Sequence, residues 1–261
     1  MAAPFLTPTL TAHGRRLVAA VGEGSILVTG EPGVGKSCLV DHWLGAVERA
    51  SWLALSLPDL GQRPPLRQVA DHLGVGEAAD LAAAAATLAG RPLLVRVDPA
   101  ERLVESAWHH LVALREALPA VHYLWVGRLE VKGQMEASWL RPLVDDIVCR
   151  VHLLAFDPEE SRAYCAQYLA TCHPGATLTE AAHATLYGRA LGYVPLADQV
   201  LDEAVAEGRR RGATTVEEAD VAIAIDTLRG TYRWRPSRRR WPWFMAAAAA
   251  AAGGIALLAG R

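Results

Sequence analysis

Residues 30–38 read Gly30-Glu31-Pro32-Gly33-Val34-Gly35-Lys36-Ser37-Cys38, and all but the last fit the spacing G-x-x-x-x-G-K-[ST]. Glycines let a backbone curl until consecutive N–H groups face one point, which makes a seat for phosphate oxygens. Lys36 then reaches the terminal phosphates, and the Ser37 hydroxyl supplies an oxygen to Mg²⁺. Cys38 ends the run of residues expected to line the ligand, and its thiol is expected to pack under the helix that follows. Only Lys36 and Lys132 are lysines in a chain with 26 basic residues, so a lysine at this position rarely arises by chance.

A phosphate loop of this kind needs a carboxylate at the end of a neighbouring strand to hold the metal shell, and the run Leu93-Leu-Val-Arg-Val-Asp98 supplies Asp98. The same residue also reads as a helix N-cap, with Pro99 at the first helical position and Glu101 closing a capping box. A strand-end aspartate can serve both roles. Glu101 is therefore open to two readings, the cap or a catalytic acid near the phosphates. Arg96, inside that apolar run, has no functional account from sequence beyond pairing with an acid.

These residues need a strand before the loop and a helix after it. Apolar runs bounded by turn signals occur at 25–29, 52–57, 93–97, 122–126 and 147–154, alternating with helical patterns at 36–49, 66–73 with 78–89, 101–118 and 137–145. That alternation predicts an α/β fold, a P-loop parallel sheet flanked by helices. After residue 154 the strand signal stops. Asp157-Pro-Glu-Glu160 predicts an N-cap, a first-turn proline and acids suited to the helix dipole, opening a helix to about 171. Further helices are expected at 179–191, 195–211 and 215–228, the last opened by a capping box at Thr215-Val-Glu-Glu218. The expected domains are an α/β domain over 1–154, a small helical lid over 155–228, a basic linker over 229–240 and a membrane helix over 241–260.

Hydrophobic residues make up 52% and charged residues 21% of the 261, which excludes disorder as the main state. Charge is unevenly spread. Residues 1–228 hold 19 Lys and Arg against all 28 acids, a net charge of −9, whereas the last 33 residues carry +7 and no acid. The acidic body counts against a broad nucleic-acid-binding face, and the basic tail points to a membrane or nucleic-acid contact. Residues 241–260 carry no charge, and twenty helical residues rise about 30 Å, enough to cross a bilayer. The cluster Arg229, Arg233, Arg235, Arg238, Arg239 and Arg240 precedes them, so the positive-inside rule places the body in the cytoplasm, with Trp234, Trp241 and Trp243 at the interface. The alternative is an alanine-rich tract that lies along the surface. Cys38, Cys149, Cys165 and Cys172 lack zinc-like spacing and read as reduced core thiols. The histidines are scattered with no metal-binding pattern, and Arg209 to Arg211 read as the solvated last turn of a helix.

On these features the body resembles AAA+ ATPases of the ExeA/GspA type, associated with general secretion. The resemblance rests on the loop GEPGVGKS, on Asp98-Pro-Ala-Glu-Arg-Leu103 after an apolar strand, on Val126-Gly127-Arg128, and on the segment Asp146 to Glu160. It implies binding of ATP with Mg²⁺ through Gly33, Gly35, Lys36, Ser37 and Asp98. It also implies a homo-oligomer at the inner membrane and a secretion or envelope partner. The departures bear on catalysis. Where such proteins carry a water-polarising glutamate this chain has Pro99, the polar sensor is Arg128, an arginine before the fifth strand is Asp146, and the lid arginine is Leu196. Glu101 could replace the glutamate, and Arg128 or Arg150 could supply a cation. Three readings stay open: a membrane-anchored ATPase that drives assembly of an envelope complex, a nucleotide-binding scaffold without turnover, and a DNA-associated ATPase.

Overall fold

The computed structural model describes residues 5–45, 51–55, 65–72 and 92–231. They form two compact units, one of Leu6–Ala155 and one of Phe5 with the residues from Phe156 onward. The first unit holds five strands: β1 (Ser25–Gly30), β2 (Ser51–Leu55), β3 (Leu93–Val97), β4 (Val121–Gly127) and β5 (Ile147–Leu153). They pair in the order β2-β3-β4-β1-β5, every pair parallel. A parallel sheet is covered on both faces, so its inner strands are mostly apolar. All six residues of β1 are buried, whereas β5 at the edge alternates buried and exposed residues. α1 (Pro8–Ala20) precedes the strands, and between them run α2 (Lys36–Leu44), α3 (Pro65–His72), α4 (Glu105–Ala117) and the short α5 (Glu130–Gln134) and α6 (Arg141–Val144). This is the α/β fold with a helix-flanked parallel sheet that the strand and helix pattern implies.

Trp108, Tyr123 and Trp125 centre the core on one side of the sheet, with ring centroids 5.0 Å apart for Trp108 and Trp125 and 4.7 Å for Tyr123 and Trp125. Buried aromatic rings of this size dominate packing energy. The buried Tyr123 hydroxyl donates to the Leu111 carbonyl at 2.8 Å, so its polar end is satisfied. α1 has no counterpart in the strand and helix pattern read from sequence. It opens on a Thr7 cap followed by Pro8, and it meets α2 at Gly14, where a Cβ would stand 2.1 Å from the Trp43 ring. Only glycine allows that approach.

At the amino end of the sheet, Asp146 ties three elements together. It accepts from the Ser25 hydroxyl, from Arg115 Nη2 at 2.6 Å and sits 2.9 Å from His122 Nδ1, while Ser25 Oγ accepts the Tyr123 N–H at 2.8 Å. The residue standing in place of an arginine before the fifth strand is therefore a structural anchor. Arg150 lies on the exposed face of β5 and turns back to the Ile147 carbonyl at 3.3 Å, so it does not join the carboxyl end of the sheet.

The second unit contains α7 (Pro158–Cys172), β6 (Thr177–Leu178), α8 (Glu180–Ala190), α9 (Val194–Arg210), β7 (Thr215–Val216) and α10 (Glu218–Thr231). Asp157 and Glu160 form the reciprocal capping box that opens α7, and Thr179 caps α8. The Thr215 capping box does not form. Thr215 and Val216 instead pair with Thr177 and Leu178, the Thr215 hydroxyl accepts from Thr177, and Asp220 reaches back to the Glu217 N–H at 2.8 Å. A side chain that satisfies a backbone donor one turn upstream replaces the expected cap. Leu196 packs against this unit's apolar core.

Among the described residues no helix is long and apolar enough to cross a membrane. The span expected over 241–260, the linker after 231, the helix expected over 78–89 and strand residues 56–57 lie outside the described residues.

Candidate functional site

β1 ends at Gly30 and α2 begins at Lys36, so the glycine-rich loop joins a buried strand to a helix N-terminus. Gly33 and Gly35 both have φ +87°, the left-handed region that glycine enters freely. No side chain caps α2, which leaves its first N–H groups facing outward, and a Cβ added at Gly35 would meet no atom within 4 Å. The loop therefore frames open space at a helix N-terminus, the place where backbone donors and the helix dipole favour an anion. Val34 is buried under the loop, while Glu31 and Pro32 are exposed on it. Cys38 is exposed and does not pack under the helix, because it faces away from the buried pair Leu39 and Val40.

Lys36 folds over the loop and donates from Nζ to the Gly30 carbonyl at 2.8 Å and the Glu31 carbonyl at 2.9 Å. Burial lowers its pKa below the ordinary lysine value, against the pull of Glu101, Asp98 and Glu31. Ser37 donates from Oγ to Asp98 Oδ2 at 2.8 Å, so a hydroxyl and a carboxylate 61 residues apart share one point. Hard oxygens of this kind are what Mg²⁺ takes when phosphate and water complete its shell, and the pair fits the metal on that ground.

Asp98 carries a second bond. Arg96 Nη2 donates to the same Oδ2 at 2.6 Å, and Arg96 Nη1 donates to Asp41 Oδ1 at 2.5 Å. Burial works against the Arg96 charge, but Asp41 and Asp98 outweigh it and hold its pKa above the ordinary value. The only local sign of this contact is a charged residue in an apolar strand. Its partner Asp41, on the second turn of α2, carries no signal at all.

Asp98 does not cap a helix. The Asp98–Pro99 peptide is cis, Ala100–Arg102 form a 3₁₀ turn with no side-chain cap, and α4 starts at Glu105, four residues later than the pattern implies. Ser37 and Arg96 share the Asp98 Oδ2 instead. Glu101 is likewise no cap: its Oε2 accepts the Arg128 backbone N–H at 3.0 Å, on the turn that ends β4. The Arg128 side chain extends beside the loop, with Nη2 3.8 Å from Glu31 and 3.4 Å from Glu130, and its buried Nε has no partner among the described residues. Pairs this long and exposed hold little energy.

In comparison with known proteins, no family model and no curated protein matches the sequence. Solved structures do match. The Holliday junction branch migration motor RuvB of Thermotoga maritima aligns with a TM-score of 0.57 and 15% identity, over 84% of this chain and 67% of that one. The ORC2 protein of Aeropyrum pernix, solved with ADPNP and ADP, gives 0.59 and 18%, over 87% and 69%. The ORC1 protein of the same organism, solved with DNA, gives 0.58 and 16%, over 86% and 66%. The chain shares with these structures its fold, a parallel sheet flanked by helices.

Proposed function

We propose that the protein binds ATP with Mg²⁺ at residues 30–38 and hydrolyses it as an AAA+-type ATPase. The observation that carries this reading is the meeting of Ser37 Oγ and Asp98 Oδ2 at 2.8 Å beside a lysine held over an open glycine loop. The loop N–H groups and Lys36 take the phosphate oxygens, and Ser37 and Asp98 would hold Mg²⁺. When bound, Mg²⁺ neutralises charge on the phosphates during transfer. Glu101, whose charge acts on Lys36, would orient a water, and Arg128 would bring a cation against developing charge.

The further steps of the proposal draw on sequence. The basic cluster and uncharged stretch over 229–260 support an inner-membrane anchor with the body in the cytoplasm, and the resemblance to the ExeA/GspA type supports an oligomer that acts on a secretion or envelope complex. Two of the fold neighbours are described with DNA or a Holliday junction. The acidic body argues against carrying that role over, since nucleic-acid binding draws its affinity from basic contacts. A scaffold without turnover is the second reading, favoured by Pro99, by Leu196 and by the arginine on Asp98.

Titration of the full chain in mild detergent with N-methylanthraniloyl-ATP, followed by single-turnover hydrolysis, tests both. Saturable binding lost in Lys36→Ala together with turnover supports the ATPase. Lysine-dependent binding without turnover leaves the scaffold, and binding indifferent to Lys36 ends both readings.

A further inference from the structure

Residue 96 sits in the middle of β3, in register with Ala54 of β2 and Leu124 of β4, where its strand neighbours Val95 and Val97 are wholly buried. Side chains alternate along a strand, so residues 96 and 98 stand on one face, the face over which α2 lies. An arginine here is costly to bury unless it meets acids, and its two arms meet two: Asp41 at 2.5 Å and Asp98 at 2.6 Å, with the side chain 18% exposed. The oxygen of Asp98 that Arg96 holds is the one that Ser37 touches, the point where a metal would be gripped.

Two carboxylates beside a phosphate seat repel the phosphates unless a cation stands between them. Arginine keeps its charge at every working pH and holds a carboxylate through a planar fork. We propose, on the nucleotide-binding reading above, that Arg96 is a resident cation at the metal position: it offsets part of the charge of Asp41 and Asp98, weakens the grip on Mg²⁺, and lets the loop retain nucleotide without metal. Arg96 touches no phosphate in this arrangement. It is a positioning residue that acts through Asp98, and its signature is the metal dependence of binding rather than binding itself.

The test uses the full chain and N-methylanthraniloyl-ADP, titrated in saturating Mg²⁺ and again in EDTA. Wild type is expected to change affinity by less than about threefold between the two, whereas Arg96→Met loses about tenfold or more in EDTA and regains it in Mg²⁺. Arg96→Lys, which restores the charge, is expected to close most of that gap. If Arg96→Met does not fold, Arg96→Gln removes the cation while keeping a hydrogen-bond donor for the two acids, and a gap in the same direction is expected. A wild type that needs Mg²⁺ by tenfold or more, or an arginine-free variant as indifferent to Mg²⁺ as wild type, overturns the proposal. Should binding depend on Lys36 while Arg96→Met leaves the metal dependence unmoved, only this inference falls. Absence of any Lys36-dependent binding removes the nucleotide reading and this one with it.

Discussion

The Glu101 carboxylate accepts the backbone N–H of Arg128 at 3.0 Å through Oε2, the same oxygen that a Cβ on Gly127 would approach to 2.7 Å. One acid is thus fixed against the end of β4 within the field of Lys36. Glutamine keeps an acceptor for the Arg128 amide but cannot take a proton from water. Glu101→Gln is therefore expected to leave nucleotide affinity within about threefold while single-turnover hydrolysis falls by about a hundredfold or more. Equal turnover in the variant would remove Glu101 from the chemistry.

Gly127 supports the same arrangement from the backbone side. An alanine there meets the tip of Glu101 at 2.7 Å and Ala100 only at 3.4 Å, and a carboxylate tip can swing aside. Gly127→Ala should keep the fold and most of the melting temperature, yet lower turnover in the manner of Glu101→Gln, because the displaced acid no longer sits by the phosphates. Thermal melting and hydrolysis measured on one preparation separate the two effects.

The loop was legible because glycine, lysine and serine at fixed spacing encode their own geometry, and the strand before it because a buried parallel strand is mostly apolar. Asp98 was legible for the same local reason, a carboxylate where an apolar run stops. The arginine bridge to Asp41 was not. Arg96 and Asp41 lie 55 residues apart, and a sequence shows an arginine out of place without showing the acid that receives it. Thr215 failed for a different cause: a threonine before two glutamates can cap a helix or pair in a strand, and the tertiary neighbour Thr177 decided which. At Asp98 two local signals competed, and the contact with Ser37 and Arg96 displaced the cap.

Asp220 gives the second unit a measurable pH dependence. Its side chain is 4% exposed and accepts Arg211 Nη2 at 2.6 Å and the Glu217 N–H at 2.8 Å. The Arg211 hydrogen bond, opposed by burial and helped by the Glu217 N–H, holds its pKa below the ordinary 3.8. A carboxylate depressed on folding contributes stability above its unfolded pKa and loses it as pH falls through the lower folded one. Asp220→Asn should melt several degrees below wild type at neutral pH, and the two curves should converge as pH drops below 3.8. A gap that persists in acid would mean the contact acts through shape rather than charge.

Adjacent residues after α8 carry opposite expectations. Leu191 has φ +49° and is 58% exposed, so a branched side chain occupies the left-handed region with little burial in return. The left-handed conformation costs such a residue roughly 1–2 kcal/mol, and glycine avoids it, so Leu191→Gly should raise stability by about 1 kcal/mol. Gly192 has φ +77°, and a Cβ there would lie 2.0 Å from the Phe156 carbonyl oxygen and 2.7 Å from its nitrogen. Backbone on both sides leaves nothing free to move: the Phe156 N–H donates to the Gly192 carbonyl at 3.2 Å, and the Phe156 ring packs edge-on against Phe5 at 5.3 Å. Gly192→Ala must break that contact and strain its own backbone, at a cost of about 3 kcal/mol or more. Urea unfolding of the full chain and both variants checks the pair. A Gly192→Ala protein as stable as wild type would show that the turn after α8 is not held against Phe156.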